Sequence, residues 1–123
     1  MKIMQNRMKE PRLDTRPHLP LRPVAFAVLA ALASAPRPGI DVLDEVNATV
    51  PGSPLLGPGT LYRLMRELRH DGLIARSPSP RGVDDERQAF HRLTPLGEAV
   101  LGAEIARLER TLALAGRVSP DSR

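Results

Sequence analysis

The chain has no cysteine and no tryptophan, and only Phe26, Tyr62 and Phe90 are aromatic among its 123 residues. Without cysteine there is neither a disulfide framework nor thiol chemistry, which fits a reducing compartment. The three histidines, His18, His70 and His91, stand far apart. With no metal-ligand spacing, no metal site and no cofactor are expected. So few aromatics leave the core to Leu, Ala and Val, and an aromatic-lined ligand pocket is not expected. The longest apolar run, Val24 to Ala33, falls short of the roughly 20 residues that cross a bilayer. Nucleophile, base and orienting group nowhere fall into a catalytic pattern, so an enzyme is not expected.

What remains is one small domain with an uneven charge distribution. Residues 1–22 carry Lys2, Arg7, Lys9, Arg12, Arg16 and Arg22 against Glu10 and Asp14, which accounts for the whole net charge of +4. Residues 23–123 hold twelve basic and twelve acidic side chains. The basic segment has three prolines and no apolar period, so residues 1–22 read as a disordered arm that favours polyanions and adds nonspecific DNA affinity. Ala33-Ser34-Ala35 after a basic start and an apolar run also matches the outline of a secretory leader. An alanine-rich first helix is the better reading, because residues 36–115 would lack a packing partner without it.

Four helices and a hairpin follow. Pro23 opens a helix over Val24 to Ser34, stopped by Pro36 and Pro38. A second, short helix spans Ile40 to Asn47. After a turn-rich connector from Ala48 to Leu56, Pro58 begins a third helix that runs to about Asp71 and stops at Gly72. On a helical wheel Leu61, Leu64, Met65 and Leu68 share one side. Arg66 and His70 lie nearly opposite, Gly59, Arg63 and Glu67 lie beside them, and Tyr62 and Arg69 flank the stripe. Leu73 to Ser77 reads as a strand, Ser77 to Glu86 as a loop tip, and Arg87 to Leu93 as the returning strand, with Phe90 and His91 on opposite faces. Thr94 caps the last helix, Pro95 begins it, and Glu98 lies near the reciprocal capping position. That helix continues to Ala115 and ends at Gly116, with Leu101, Ile105, Leu108, Leu112 and Ala115 forming a coiled-coil seam. A flexible tail, 117–123, completes the chain.

The fold class is mainly α with a small β-hairpin: a winged helix-turn-helix over 23–93 and a dimerisation helix over 94–116. An arginine helix that follows a turn and precedes a hairpin is placed to read DNA. Arg63, Arg66 and His70 would reach base edges or phosphates, with Thr60 and Tyr62 positioning the backbone. The free N–H groups of Gly59 and Thr60 suit a phosphate. Arg81 and Arg87 would carry wing contacts, with the solvated Asp84-Asp85-Glu86 turn pointing away. Leu101, Ile105, Leu108 and Leu112 would pair two subunits. A winged-helix module whose arginines face an acidic protein remains the alternative, and an exported small protein a third reading.

Leu56-Gly57-Pro58-Gly59-Thr60-Leu61-Tyr62, Leu68, Asp71-Gly72-Leu73-Ile74, Asp84-Asp85-Glu86-Arg87 and Arg92-Leu93-Thr94-Pro95-Leu96-Gly97 together resemble the PadR family of transcriptional regulators, in its compact subtype. The likeness spans about residues 23–115. It implies a cytoplasmic winged-helix homodimer that represses transcription by covering promoter DNA and often responds to a small-molecule effector. Thr60 and Tyr62 match the family's DNA-facing helix start. The chain departs at Pro38-Gly39-Ile40, where His-Gly-Tyr is common, and at Phe90-His91, where paired tyrosines are common.

Overall fold

A computed structural model describes residues 13–49, 56–78, 85 and 87–116. Its helices are α1 (Pro23–Ala31), α2 (Gly39–Ala48), α3 (Pro58–His70) and α4 (Pro95–Ala115), and its strands are β1 (Arg37–Pro38), β2 (Ile74–Ser77) and β3 (Phe90–Leu93). The strands form one antiparallel sheet in the order β1-β3-β2. The core gathers Val28 and Leu29 of α1, Val42 of α2, Leu61 and Met65 of α3, Leu73 and Ile74 at β2, and Val100 of α4. Among the described residues no helix is long and apolar enough to cross a membrane.

α1 is apolar all round, so helical periodicity does not choose its buried face. Packing does, and Ala25, Val28 and Leu29 go inside. The helix ends at Ala31 rather than at the expected Ser34. Pro36 disfavours helical geometry at the residue before it, so the chain bends before reaching it. α3 ends as its sequence dictates. Gly72, at φ +80°, takes the left-handed conformation; its N–H donates to Arg69 O at 3.0 Å and the Leu73 N–H to Leu68 O at 2.9 Å. Those two bonds are a Schellman motif, with Leu68 and Leu73 buried beside it.

The hairpin is part of a three-stranded sheet, not the two-stranded ribbon expected. β1 is two residues long and contains a proline, so it has no readable alternation; Pro38 is tolerated because the strand is an edge. The returning strand also starts later, at Phe90 rather than Arg87. Asp85 holds the preceding residues in a turn: its carboxylate accepts from the Gln88 N–H at 2.9 Å and its backbone carbonyl from the Ala89 N–H at 2.7 Å.

α4 has the bounds expected of it. The Thr94 hydroxyl accepts from the Gly97 N–H at 3.0 Å and donates to Gly72 O at 2.5 Å. Glu98 is not the reciprocal cap, because the Thr94 N–H already donates to Leu73 O at 3.1 Å.

The basic arm drawn over 1–22 is too long. Residues 1–12 lie outside the described residues, as does the tail 117–123. From Leu13 onward a 3-10 turn at Arg16–His18 leads to Leu19 and Leu21, which pack against the core. The Leu21 N–H donates to the Glu104 carboxylate at 2.9 Å. Glu104 is 1% exposed and also takes two hydrogen bonds from Arg107, Nε at 2.5 Å and Nη2 at 3.1 Å. The Arg107 hydrogen bonds hold its carboxyl below the usual range against the opposing pull of burial, with help from the Leu21 N–H.

Candidate nucleic-acid interface

α3 turns Leu61, Met65 and Leu68 into the core and leaves Gly59, Thr60, Arg63, Arg66, Glu67 and His70 exposed. Arg63, Arg66, Glu67, His70 and Asp71 line one shallow concavity. The face read from the wheel is therefore the face that meets solvent. Its N-terminus is open. Pro58 has no N–H to offer, and the first intrahelical bond runs from Leu61 N–H to Gly57 O at 3.1 Å. The Gly59 and Thr60 amides are left pointing outward, as at any helix start. The first turn carries no acidic side chain, and a Cβ built on Gly57 or Gly59 meets nothing within 4 Å. Positive dipole, free donors and open space together make a seat for a phosphate.

Tyr62 departs from expectation. It is half-buried against the core with its hydroxyl buried, so it braces α3 rather than presenting a phenol to DNA. Arg87 is exposed at the base of the wing, whereas Arg81 lies outside the described residues. Of the acidic triplet, Asp85 is described; it is exposed and engaged with its own turn.

Two structural residues escaped the sequence reading. Asn47 bridges the α2–α3 connector: its amide donates to Leu56 O at 3.1 Å and its carbonyl accepts from the Leu56 N–H at 2.7 Å. That clamp fixes the backbone two residues before α3. The only hint is an asparagine in the last turn of a helix ahead of a proline-glycine connector. Arg22, just before α1, pairs with Glu67 of α3 at 3.5 Å. Both side chains are exposed, so the pair orients more than it stabilises.

The α4 seam divides in two. Leu101 is 7% exposed and belongs to its own domain's core, which removes it from the expected dimer surface. Ile105 is 42% exposed and Leu112 69%; Leu108 is half-buried, and Leu114, 60% exposed, lies on the other side of the helix. Among the described residues the helix outruns the small domain beneath it, so its distal turns have nothing there to pack on. Phe26, Ala27, Ala30 and Ala31 of α1 form a second apolar surface, beside Glu45 of α2 and Thr49 just past its end. Among the described residues no group of three or more His, Asp or Glu is placed to hold a metal ion.

Residues 28–103 match the model of the transcriptional regulator PadR-like family. No curated protein matches the chain significantly. Solved structures with the same fold include a PadR family transcription regulator from Clostridium difficile, at 17% identity and TM-score 0.63, with 76% of this chain and 95% of that one covered. A transcriptional regulator from Clostridium thermocellum superposes at TM-score 0.60 with 17% identity, covering 84% of this chain and 91% of that one. Bacillus subtilis PadR, solved in complex with operator DNA, superposes at TM-score 0.57 with 20% identity, over 70% of this chain and 48% of that one.

Proposed function

The chain belongs to the PadR-like family of transcriptional regulators, and from that premise we propose that it is a repressor that reads a pseudo-palindromic operator as a homodimer. The observation that carries this reading is α3. Its Leu61, Met65 and Leu68 are locked in the core while Thr60, Arg63, Arg66 and His70 stand in solvent behind an open helix N-terminus. Arg66 and Arg63 present the planar donors that suit guanine edges and phosphates, and the Gly59 and Thr60 amides would take a backbone phosphate. Arg87, with Arg81, would contact flanking backbone from the wing.

The dimer would form through Ile105, Leu108 and Leu112 of α4, with the exposed face of α1 alongside. Reading two half-sites on one face of the duplex would require the two copies of α3 to lie about one DNA turn apart, roughly 34 Å. An effector would meet the reading face at the groove between α1 and α3, which Val24, Leu56, Thr60, Arg63 and Leu64 line. Binding without catalysis, in the cytoplasm, is the role this assigns.

The test is binding to a labelled duplex taken from the DNA upstream of the chain's own coding region, for wild type and Arg66→Ala, at two salt concentrations. Sequence-selective binding that Arg66→Ala weakens by about 1–3 kcal/mol supports the reading. Weak binding, equal for any duplex and indifferent to Arg66, overturns it in favour of a protein-interaction module.

A further inference from the structure

β3 is the central strand of the sheet, and its His91 is fully buried. In register with it stand Arg37 on β1 and Arg76 on β2. From α3, the Arg69 guanidinium brings Nη1 to 3.4 Å from His91 Nε2. A guanidinium only donates, so as a hydrogen bond this contact makes Nε2 the acceptor. The neighbours of His91 along the chain that face the core, Ala89 and Leu93, are apolar. An aliphatic side chain would fill the same place, whereas an imidazole there must be desolvated amid arginines. What the imidazole adds is direction.

We propose that His91 is a positioning residue: through Arg69 it fixes the rotation of α3 against the wing sheet, and thereby aims Arg63, Arg66 and His70. The inference rests on the DNA reading proposed above. Apolar packing lets a helix roll within its groove, but a hydrogen bond to a buried acceptor does not. A roll of about 20° carries side-chain atoms ~5 Å from the axis through roughly 2 Å, enough to take a guanidinium off a base edge. Arg69 lies three residues past Arg66 and next to His70, so the tether acts within the turn that does the reading.

The experiment measures affinity for the operator duplex, its salt dependence and thermal stability for full-length His91→Phe, His91→Gln, Arg69→Met and the double variant His91→Phe/Arg69→Met. Gln places an oxygen acceptor as many bonds from the backbone as Nε2, and Phe fills the ring volume without one. Arg69→Met tests the link from the helix side should His91→Phe fold poorly. The expected result is that His91→Phe and Arg69→Met each weaken binding about tenfold, the scale of one directed hydrogen bond. His91→Gln should stay near wild type, and the double variant should be no weaker than either single. The salt slope of Arg69→Met should match that of His91→Phe, because Arg69 itself touches no phosphate. Wild-type affinity in His91→Phe, a His91→Gln as weak as His91→Phe, additive losses, or a shallower slope confined to Arg69→Met would overturn the inference. The last of these would mean that Arg69 touches DNA itself. Failure of the wild type to discriminate among duplexes would instead remove the DNA reading on which the inference stands.

Discussion

Two glycines on one helix should respond to the same substitution with opposite signs. Gly97 sits in the first turn of α4, where a built Cβ would lie 1.9 Å from the Leu73 carbonyl oxygen and 3.0 Å from its carbon. Relief requires that oxygen or the helix to retreat by more than an ångström. Leu73 is not free to do so: its N–H closes the end of α3 on Leu68 O, and its carbonyl accepts the Thr94 N–H. Alanine is the better helix former by about 1 kcal/mol, so the clash must exceed that gain. Overpacking against fixed backbone costs about 3 kcal/mol at the upper end of its usual range, leaving Gly97→Ala destabilised by roughly 2 kcal/mol. In a domain of this size that lowers Tm by about 8–16 °C. Gly102, five residues on, is exposed and its built Cβ meets nothing within 4 Å. Gly102→Ala should therefore gain about 0.5–1 kcal/mol and a few degrees. Thermal unfolding followed by far-UV circular dichroism, at one protein concentration because self-association would shift Tm, compares the two. A Gly97→Ala protein as stable as wild type would refute the close packing of α4 on Leu73. Equal losses in both would point to the helix rather than to the contact.

Glu104→Ala should lose about 2–3 kcal/mol in chemical denaturation, because it strands the Leu21 N–H and breaks a buried charged hydrogen-bond set. The folded carboxyl titrates below its ordinary value of 4.5, so its stabilisation is present above that pH and is lost as pH falls further; the wild-type advantage over Glu104→Gln should shrink below about pH 4.5. Asn47→Ala should cost about 1–2 kcal/mol and also weaken DNA binding, since the clamp on Leu56 sets the start of α3; unchanged affinity would mean the connector is held by other means. Leu112→Glu, at an exposed site, should leave the monomer folded but shift sedimentation toward the monomer by tenfold or more in Kd, about 1.4 kcal/mol or above.

The helices and the exposed face of α3 were legible because short-range chemistry decides them. Proline at a first turn, glycine past a last turn, and leucines spaced three and four apart need no knowledge of the rest of the chain. The wing was half legible: β2 and β3 show in their alternation, but β1 exists only because β3 offers it an edge. The buried polar residues could not be read. His91 and Glu104 look like surface residues in sequence, and each becomes internal through a partner distant along the chain, Arg69 for one and Leu21 for the other. Leu101 failed for the opposite reason. The seam it opens has uniform spacing, yet the small domain underneath covers its first turns and leaves the later ones bare.

These anchors bear on how control would reach the DNA-reading face. α3 is tied before its start by Asn47, past its end by Gly72 and Thr94, and along its sides by the core and by Arg69. A helix held at both ends and on its flanks has little freedom to move on its own. Among the described residues the distal half of α4 has no such ties within the protomer, and Leu112 and Leu114 meet solvent. The soft coordinate in a dimer is therefore the angle between protomers, which sets the separation of the two α3 helices. Because a roughly 34 Å spacing must match one turn of DNA, a change of a few ångströms there would abolish simultaneous engagement while leaving each reading face intact. An effector that acted on that angle, instead of through the groove between α1 and α3, would lower affinity for the two-half-site operator and spare affinity for a single half-site. Comparing the two duplexes, with and without ligand, distinguishes this from direct occlusion of α3, which would weaken both equally.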